Sequence, residues 1–242
     1  AAERYQLTAA ALAAHWRPNS VGALVASPSN PTGEIIVRDQ LAALHAATRE
    51  RGGVLVVDEI YHGLVYDVSE TSILEFTDVA FVVNSFSKYF GMTGWRLGWM
   101  VLPEAAIEPI NVMAQNFYIS PPSIAQYAAL AAFQPVVIDE LEARRNEFRR
   151  RRDFLVPALR ELGFDIPFAP AGAFYIYAGI AGLADDCEAF CWDMLERAGV
   201  AFTPGTDFGS HLARQRVRFS YTEPLERLEL AVSRLRTALA AR

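Results

Sequence analysis

The chain has 242 residues, enough for one or two domains at roughly 150 residues each and for a sizeable buried core. Its 52% hydrophobic and 21% charged residues, with Gly and Pro at ordinary frequency, exclude disordered and low-complexity classes. A net charge of −6 gives no bulk attraction to phosphate backbones or anionic lipid, so nucleic acid and membrane are not expected as partners.

In chain order, the N-terminal stretch AAERYQLTAAALAAHW lacks the basic start and apolar core of a signal peptide, which with two sparse cysteines predicts a cytoplasmic protein. Strands are predicted at 21–27 (VGALVAS), 54–58 (VLVVD), 79–84 (VAFVVN) and 97–102 (LGWMVL), most of them apolar on both faces as in a sheet covered on both sides. Between the first two, 38–51 has Leu41, Leu44 and Ala47 on one face and Gly52 as its cap, which predicts a crossover helix. Further helices are expected at 103–116, 123–133 and 139–162. The last carries EARRNEFRRRRDF, whose interleaved Glu140, Glu142 and Glu147 predict a solvated face rather than a basic groove. Beyond it come a Pro/Gly-rich stretch, a helix bearing Cys187 and Cys191, a strand at 217–221 and a final helix opened by Pro224. The two cysteines, four apart on one helix face, are expected to be buried and reduced, and the scattered histidines offer no metal spacing. The fold expected is α/β: a three-layer sandwich with a mostly parallel sheet, then a small α+β domain. The boundary is expected near residues 135–140, giving domains 1–137 and 138–242.

In open α/β sheets ligands sit at the carboxyl ends of strands. The first strand runs into SPSNPTG, a rigid turn offering the Asn30 amide. The second runs into DEIY, with Asp58 at the tip and Tyr61 beyond; an acid there could equally cap a helix. The third runs into SFSKYFGMTGWRLG, which holds Ser85, Ser87, Arg96 and Lys88. Lys88 is the only lysine of the chain, and a lysine amine can act as a nucleophile where Arg cannot.

Together these segments, with VRFSY near the C-terminus, resemble the pyridoxal-phosphate-dependent aminotransferases of class I/II, fold type I of the aspartate aminotransferase superfamily. The resemblance implies an enzyme that moves an amino group between an amino acid and a 2-oxo acid. It assigns Lys88 the Schiff base with pyridoxal 5'-phosphate and the proton transfer that follows. By the same resemblance Asp58 pairs with the pyridine nitrogen, Tyr61 and Asn30 with the ring hydroxyl oxygen, and Ser85, Ser87 and Arg96 with the phosphate. Arg218 takes the substrate α-carboxylate, with Asn30 beside it, while Arg216 is expected on the other face of that strand, toward solvent. The family also implies a homodimer with its active site at the subunit interface. It further implies an N-terminal half that this sequence does not include, so the chain is expected to be the retained part of a longer enzyme. In aspartate-type members an additional Arg precedes the SPP-like turn; here the stretch is MAQNFYISPP, without Arg, which favours a neutral or aromatic amino acid. Alternatives are a carbon–sulfur β-lyase of the same fold, a non-catalytic effector-binding domain and a truncated remnant.

Overall fold

The computed structural model describes residues 4–241. They divide into two compact units, one comprising the residues up to Ser29 with Glu34–Arg145, the other Asn30–Gly33 with the residues from Asn146 onward.

The first unit is built on a four-stranded sheet of order β1-β2-β3-β4, made of β1 (Gly22–Ala26), β2 (Val54–Asp58), β3 (Phe81–Ser85) and β4 (Gly98–Val101). The first three strands are parallel, and β4 returns antiparallel to β3. Helix α1 (Ala9–His15), capped by the Thr8 hydroxyl, precedes β1, and α2 (Arg38–Glu50) is the crossover from β1 to β2. Register places Val25, Val57 and Val82 in one row, and this face is buried with Leu41 and Leu44 of α2 and Leu12 of α1. Burial of a large aliphatic side chain contributes about 1.5–3 kcal/mol, so this cluster sets the unit's stability. The opposite row carries Leu24, 72% exposed, then Val56 and, at its end, Asp58. Beyond β4 run α3 (Glu104–Tyr118), none of whose residues is buried, and α4 (Ser123–Ala132), which buries Ala125, Ala129 and Ala132. The expected α/β fold with a mostly parallel sheet is therefore present.

Helix α5 spans Pro135–Glu161. It starts earlier than its charge pattern suggests, because proline suits the first turn, where no N–H is needed. Its basic run is mostly solvated: Glu147 accepts from Arg150 and Arg151, which pulls its carboxyl down to about 2. Arg152 departs from that expectation. It is buried, donating to the Pro170 carbonyl at 3.1 Å and to Asp153.

The second unit has an antiparallel sheet of order β5-β7-β6, made of β5 (Tyr175–Gly179), β6 (Thr203–Pro204) and β7 (Arg216–Ser220). Helix α6 (Cys187–Ala198) is capped by Asp186 at one end and by Gly199, with φ 61°, at the other. Pro224 opens α7 (Leu225–Ala240). Phe164, Phe190, Phe202 and Phe219 join ring to ring in its core. Cys187 and Cys191 are buried thiols, as expected, and burial pushes Cys191 up to about 12.

Candidate functional site

Two clusters of the expected residues form, one in each unit. In the first unit Asp58 ends β2 on the face away from the aliphatic core, and its Oδ1 accepts the Ile60 N–H at 3.0 Å. Burial raises its pKa above 3.8, outweighing the Ile60 hydrogen bond and the charge of Lys88. The segment that follows is tied down by residues the sequence reading does not single out. Glu59 turns inward, where it accepts the Ser72 hydroxyl and the Ile73 N–H at 3.0 Å, and Glu70 accepts the Gly63 N–H at 2.7 Å. His62 lies 3.4 Å from Glu59 and 3.6 Å from Glu70. Burial nonetheless drives the imidazole down to about 4, against the Ser27 backbone and Glu75, so it is neutral at physiological pH. Tyr61, between these anchors, is buried, and Lys88 Nζ stands 5.7 Å from its ring centroid.

Lys88 follows β3 in a loop pinned on both sides. Phe86 packs on Phe90, Trp99 and Phe133 at 4.9, 5.0 and 5.8 Å. Tyr89 donates its hydroxyl to Glu142 of α5 at 2.6 Å, and its ring lies where a Cβ on Gly63 would stand, 2.4 Å away, so only glycine fits there. Burial, then the hydrogen bond to Glu142, raises the Tyr89 pKa. Ser85 Oγ donates to the Leu97 carbonyl at 3.1 Å, accepts the Ser87 N–H at 3.0 Å and lies 2.9 Å from Ser87 Oγ. Ser85 pairs with Gly98 across the ladder, which sets Arg96 at the same end of the sheet. Arg96 is left-handed, φ 53° and ψ 50°, and its exposed guanidinium donates to the Thr93 carbonyl at 3.0 Å.

In the second unit Arg218 occupies the middle of β7, opposite Tyr177 of β5 and Thr203 of β6. It donates from Nη1 to Asn30 Oδ1 at 2.8 Å and from Nη2 to Thr203 Oγ1 at 3.2 Å. The turn carrying Asn30 is held by Gly33, at φ 68°, whose carbonyl accepts the Gly172 N–H at 2.7 Å. Arg216 corrects an expectation: residues two apart in a strand share a face, so it lies on the Arg218 side. Its side chain is only 15% exposed, 3.6 Å from Asp165.

An amine over a phenol ring, a carboxyl at the neighbouring strand end, and a hydroxyl pair with an Arg at the same end of the sheet are groups that can hold an aldehyde-bearing, anionic heteroaromatic molecule. An Arg with an amide at its tip can hold a carboxylate. Among the described residues no group of three His, Cys, Asp or Glu could hold a metal, and no helix is long and apolar enough to cross a membrane.

The family described as aminotransferase class I and II matches residues 1–235. A valine–pyruvate aminotransferase from Mycobacterium tuberculosis is 40% identical over 234 residues, covering 96% of this chain and 60% of that protein. An aspartate aminotransferase from Geobacillus stearothermophilus is 34% identical over 236 residues, covering 93% and 59%. The crystal structure of an aminotransferase from Mycobacterium tuberculosis superposes with a TM-score of 0.94 at 39% identity, covering 99% of this chain and 62% of that one. The chain thus spans about 60% of the length of the curated relatives it matches. With a family match over nearly its whole length and this agreement in sequence and fold, the chain belongs to the aminotransferase class I and II family.

Proposed function

We propose that this chain is the greater part of a pyridoxal-phosphate-dependent aminotransferase. The observation that carries the reading is the placement of the only lysine amine, Lys88 Nζ, 5.7 Å from the ring of buried Tyr61 in the unit whose β2 ends in Asp58. The half-buried carboxyl of Asp58 fits the cofactor, since a protonated ring nitrogen would supply the positive partner that favours its ionised form. When bound, pyridoxal phosphate supplies an electrophilic aldehyde carbon and a ring that draws electrons from the carbon bearing the amino group.

Asp58 would keep a proton on the ring nitrogen, the Tyr61 hydroxyl would donate to the ring oxygen, and the Asn30 amide N–H would serve the same class of acceptor. Ser85 and Ser87 would donate hydroxyls and Arg96 a charged guanidinium to the phosphate. Lys88 would supply the amine that holds the cofactor at its aldehyde carbon, with water as the leaving group, and would move the proton at the substrate α-carbon. These are acts of one neutral amine that can be reprotonated, which an Arg at that position could not perform. Arg218 holds the α-carboxylate. The amino donor proposed is neutral or aromatic, because Met113–Pro122 contains no Arg and the valine–pyruvate relative is 40% identical, although an aspartate aminotransferase matches at 34%.

We also propose a homodimer. The support is the uncovered apolar face of α3 and α4, where Phe117, Tyr118, Ile124 and Tyr127 are exposed. Buried free cysteines support a cytoplasmic setting.

The test is borohydride reduction after incubation with pyridoxal phosphate, followed by peptide mass mapping and an assay with valine, phenylalanine or aspartate as amino donor to a 2-oxo acid. A covalent mass addition on the Lys88 peptide, absent in Lys88→Ala, together with amino transfer from valine or phenylalanine, is expected. No addition at Lys88 rejects the cofactor role; ammonia release without amino transfer rejects the transaminase.

A further inference from the structure

The guanidinium of Arg218 is enclosed in a way its hydrogen bonds do not require. Its Cζ lies 4.3 Å from the ring centroid of Tyr175 and 4.7 Å from that of Phe208. Tyr175 is buried in β5, and Phe208 ends the short 3-10 turn Gly205–Phe208 that follows β6. Phe208 is braced in turn by Tyr177, whose ring meets it edge-on at 6.2 Å and 88°. Nη2 donates to Thr203 Oγ1 across the β6–β7 ladder, and Nη1 to Asn30. Nε is buried and has no hydrogen-bond partner among the described residues.

We infer that Tyr175 and Phe208 are positioning residues that clamp the Arg218 guanidinium, that Thr203 sets its rotation, and that a substrate carboxylate therefore meets only its terminal nitrogens. An arginine side chain has several rotatable bonds, and an unclamped one loses that freedom on binding. Two rings within reach of cation–π attraction fix the plane beforehand, and a hydrogen bond in the plane fixes its direction. With Nε enclosed, the ligand-facing donors are the second protons of Nη1 and Nη2, which form a fork matched to a planar carboxylate. The clamp thus serves affinity for the group common to all amino and 2-oxo acids, rather than choice among their side chains. Sequence alone does not reveal it, because Phe208 precedes Arg218 by a loop and Tyr175 lies on another strand.

The inference rests on the proposed function, since it takes Arg218 as the carboxylate receptor. Its test is calorimetric binding of two unreactive monocarboxylates, isovalerate and hydrocinnamate, to the full-length protein loaded with pyridoxal phosphate. Arg218→Lys, Phe208→Leu, Phe208→Tyr, Thr203→Val and Thr203→Ser are compared, with thermal melting as the folding control. Phe208→Leu is expected to weaken both carboxylates about fivefold, with Phe208→Tyr restoring affinity to within about twofold. Thr203→Val is expected to weaken both about threefold and Thr203→Ser to recover most of that. If the parent protein binds and Arg218→Lys weakens it, but Phe208→Leu and Thr203→Val bind as the parent does, the clamp is wrong and Arg218 remains the receptor. If the parent binds neither acid, or Arg218→Lys changes nothing, the receptor assignment fails and the clamp falls with it.

Discussion

Burial of Asp58 carries an electrostatic cost that the charge of Lys88 does not offset. Its folded pKa lies above the value of 3.8, chiefly through burial, so the folded state holds the proton more tightly than the unfolded state does. The stability it contributes is present while it is protonated and is lost as pH rises through the raised pKa. Asp58→Asn, whose Oδ1 can still accept the Ile60 N–H, is expected to raise the melting temperature of the cofactor-free chain at pH 7 and to abolish retention of pyridoxal phosphate on gel filtration. A lower melting temperature would show that the carboxylate is satisfied without a cofactor. His62 has the opposite sign. Its folded pKa of about 4 is depressed from 6.5, so the unfolded state takes up more protons between those values. Its contribution is complete above pH 6.5 and falls as pH drops toward 4, by up to roughly 3 kcal/mol. Urea denaturation across that range is expected to be less pH-dependent for His62→Asn than for the parent chain; equal slopes would place the titration elsewhere. Lys88, Asp58, Tyr61 and Arg218 stand out as candidates in the sequence because they lie in short contiguous motifs. Glu59, Glu70 and Glu142 do not, because their partners Ser72, Gly63 and Tyr89 are joined to them only by folding.

Among the elements, the turn Asn30–Gly33 leaves no room for a side chain at its last residue. A Cβ on Gly33 would stand 2.5 Å from Pro170 Cβ and 2.8 Å from the Gly172 carbonyl, at a φ of 68° that side chains disfavour. Gly33→Ala is expected to cost about 2 kcal/mol or more in unfolding free energy, measured by thermal or urea denaturation, whereas Gly52→Ala, with nothing within 4 Å, should cost only the local backbone strain. Near-equal losses for the two would remove the steric argument. The four strands of the first sheet and the helices from Arg38 onward fall within a few residues of their predicted places, since long apolar or periodic runs carry their own signal. Strand β5 was hidden in a Pro/Gly-rich stretch and exists by pairing with β7; α1 is a short helix whose burial rests on one residue, Leu12. The antiparallel return of β4 was equally illegible, because direction in a sheet is a property of the pairing and not of the strand.

For the whole molecule, the uncovered apolar residues of α3 and α4 are the dominant feature. Phe117 and Ile119 are 73% and 83% exposed, and large apolar side chains left in water in such number mark a surface fit for association. Sedimentation of the full-length protein is expected to show a dimer, and Phe117→Glu with Tyr127→Lys to shift it toward monomer without changing the far-ultraviolet circular dichroism of the chain. A parent protein that sediments as a monomer would sink the homodimer. By itself the sequence determined the fold class, the family and the residue on which the proposed chemistry turns, because a single lysine inside an ordered set of motifs is local information. Only the tertiary structure decided that Arg218 lies between Tyr175 and Phe208 and has its terminal nitrogens on Asn30 and Thr203. Those contacts join residues as far apart as 30 and 218, and the free energy that selects them comes from packing and strand pairing across the folded unit, which local sequence does not encode.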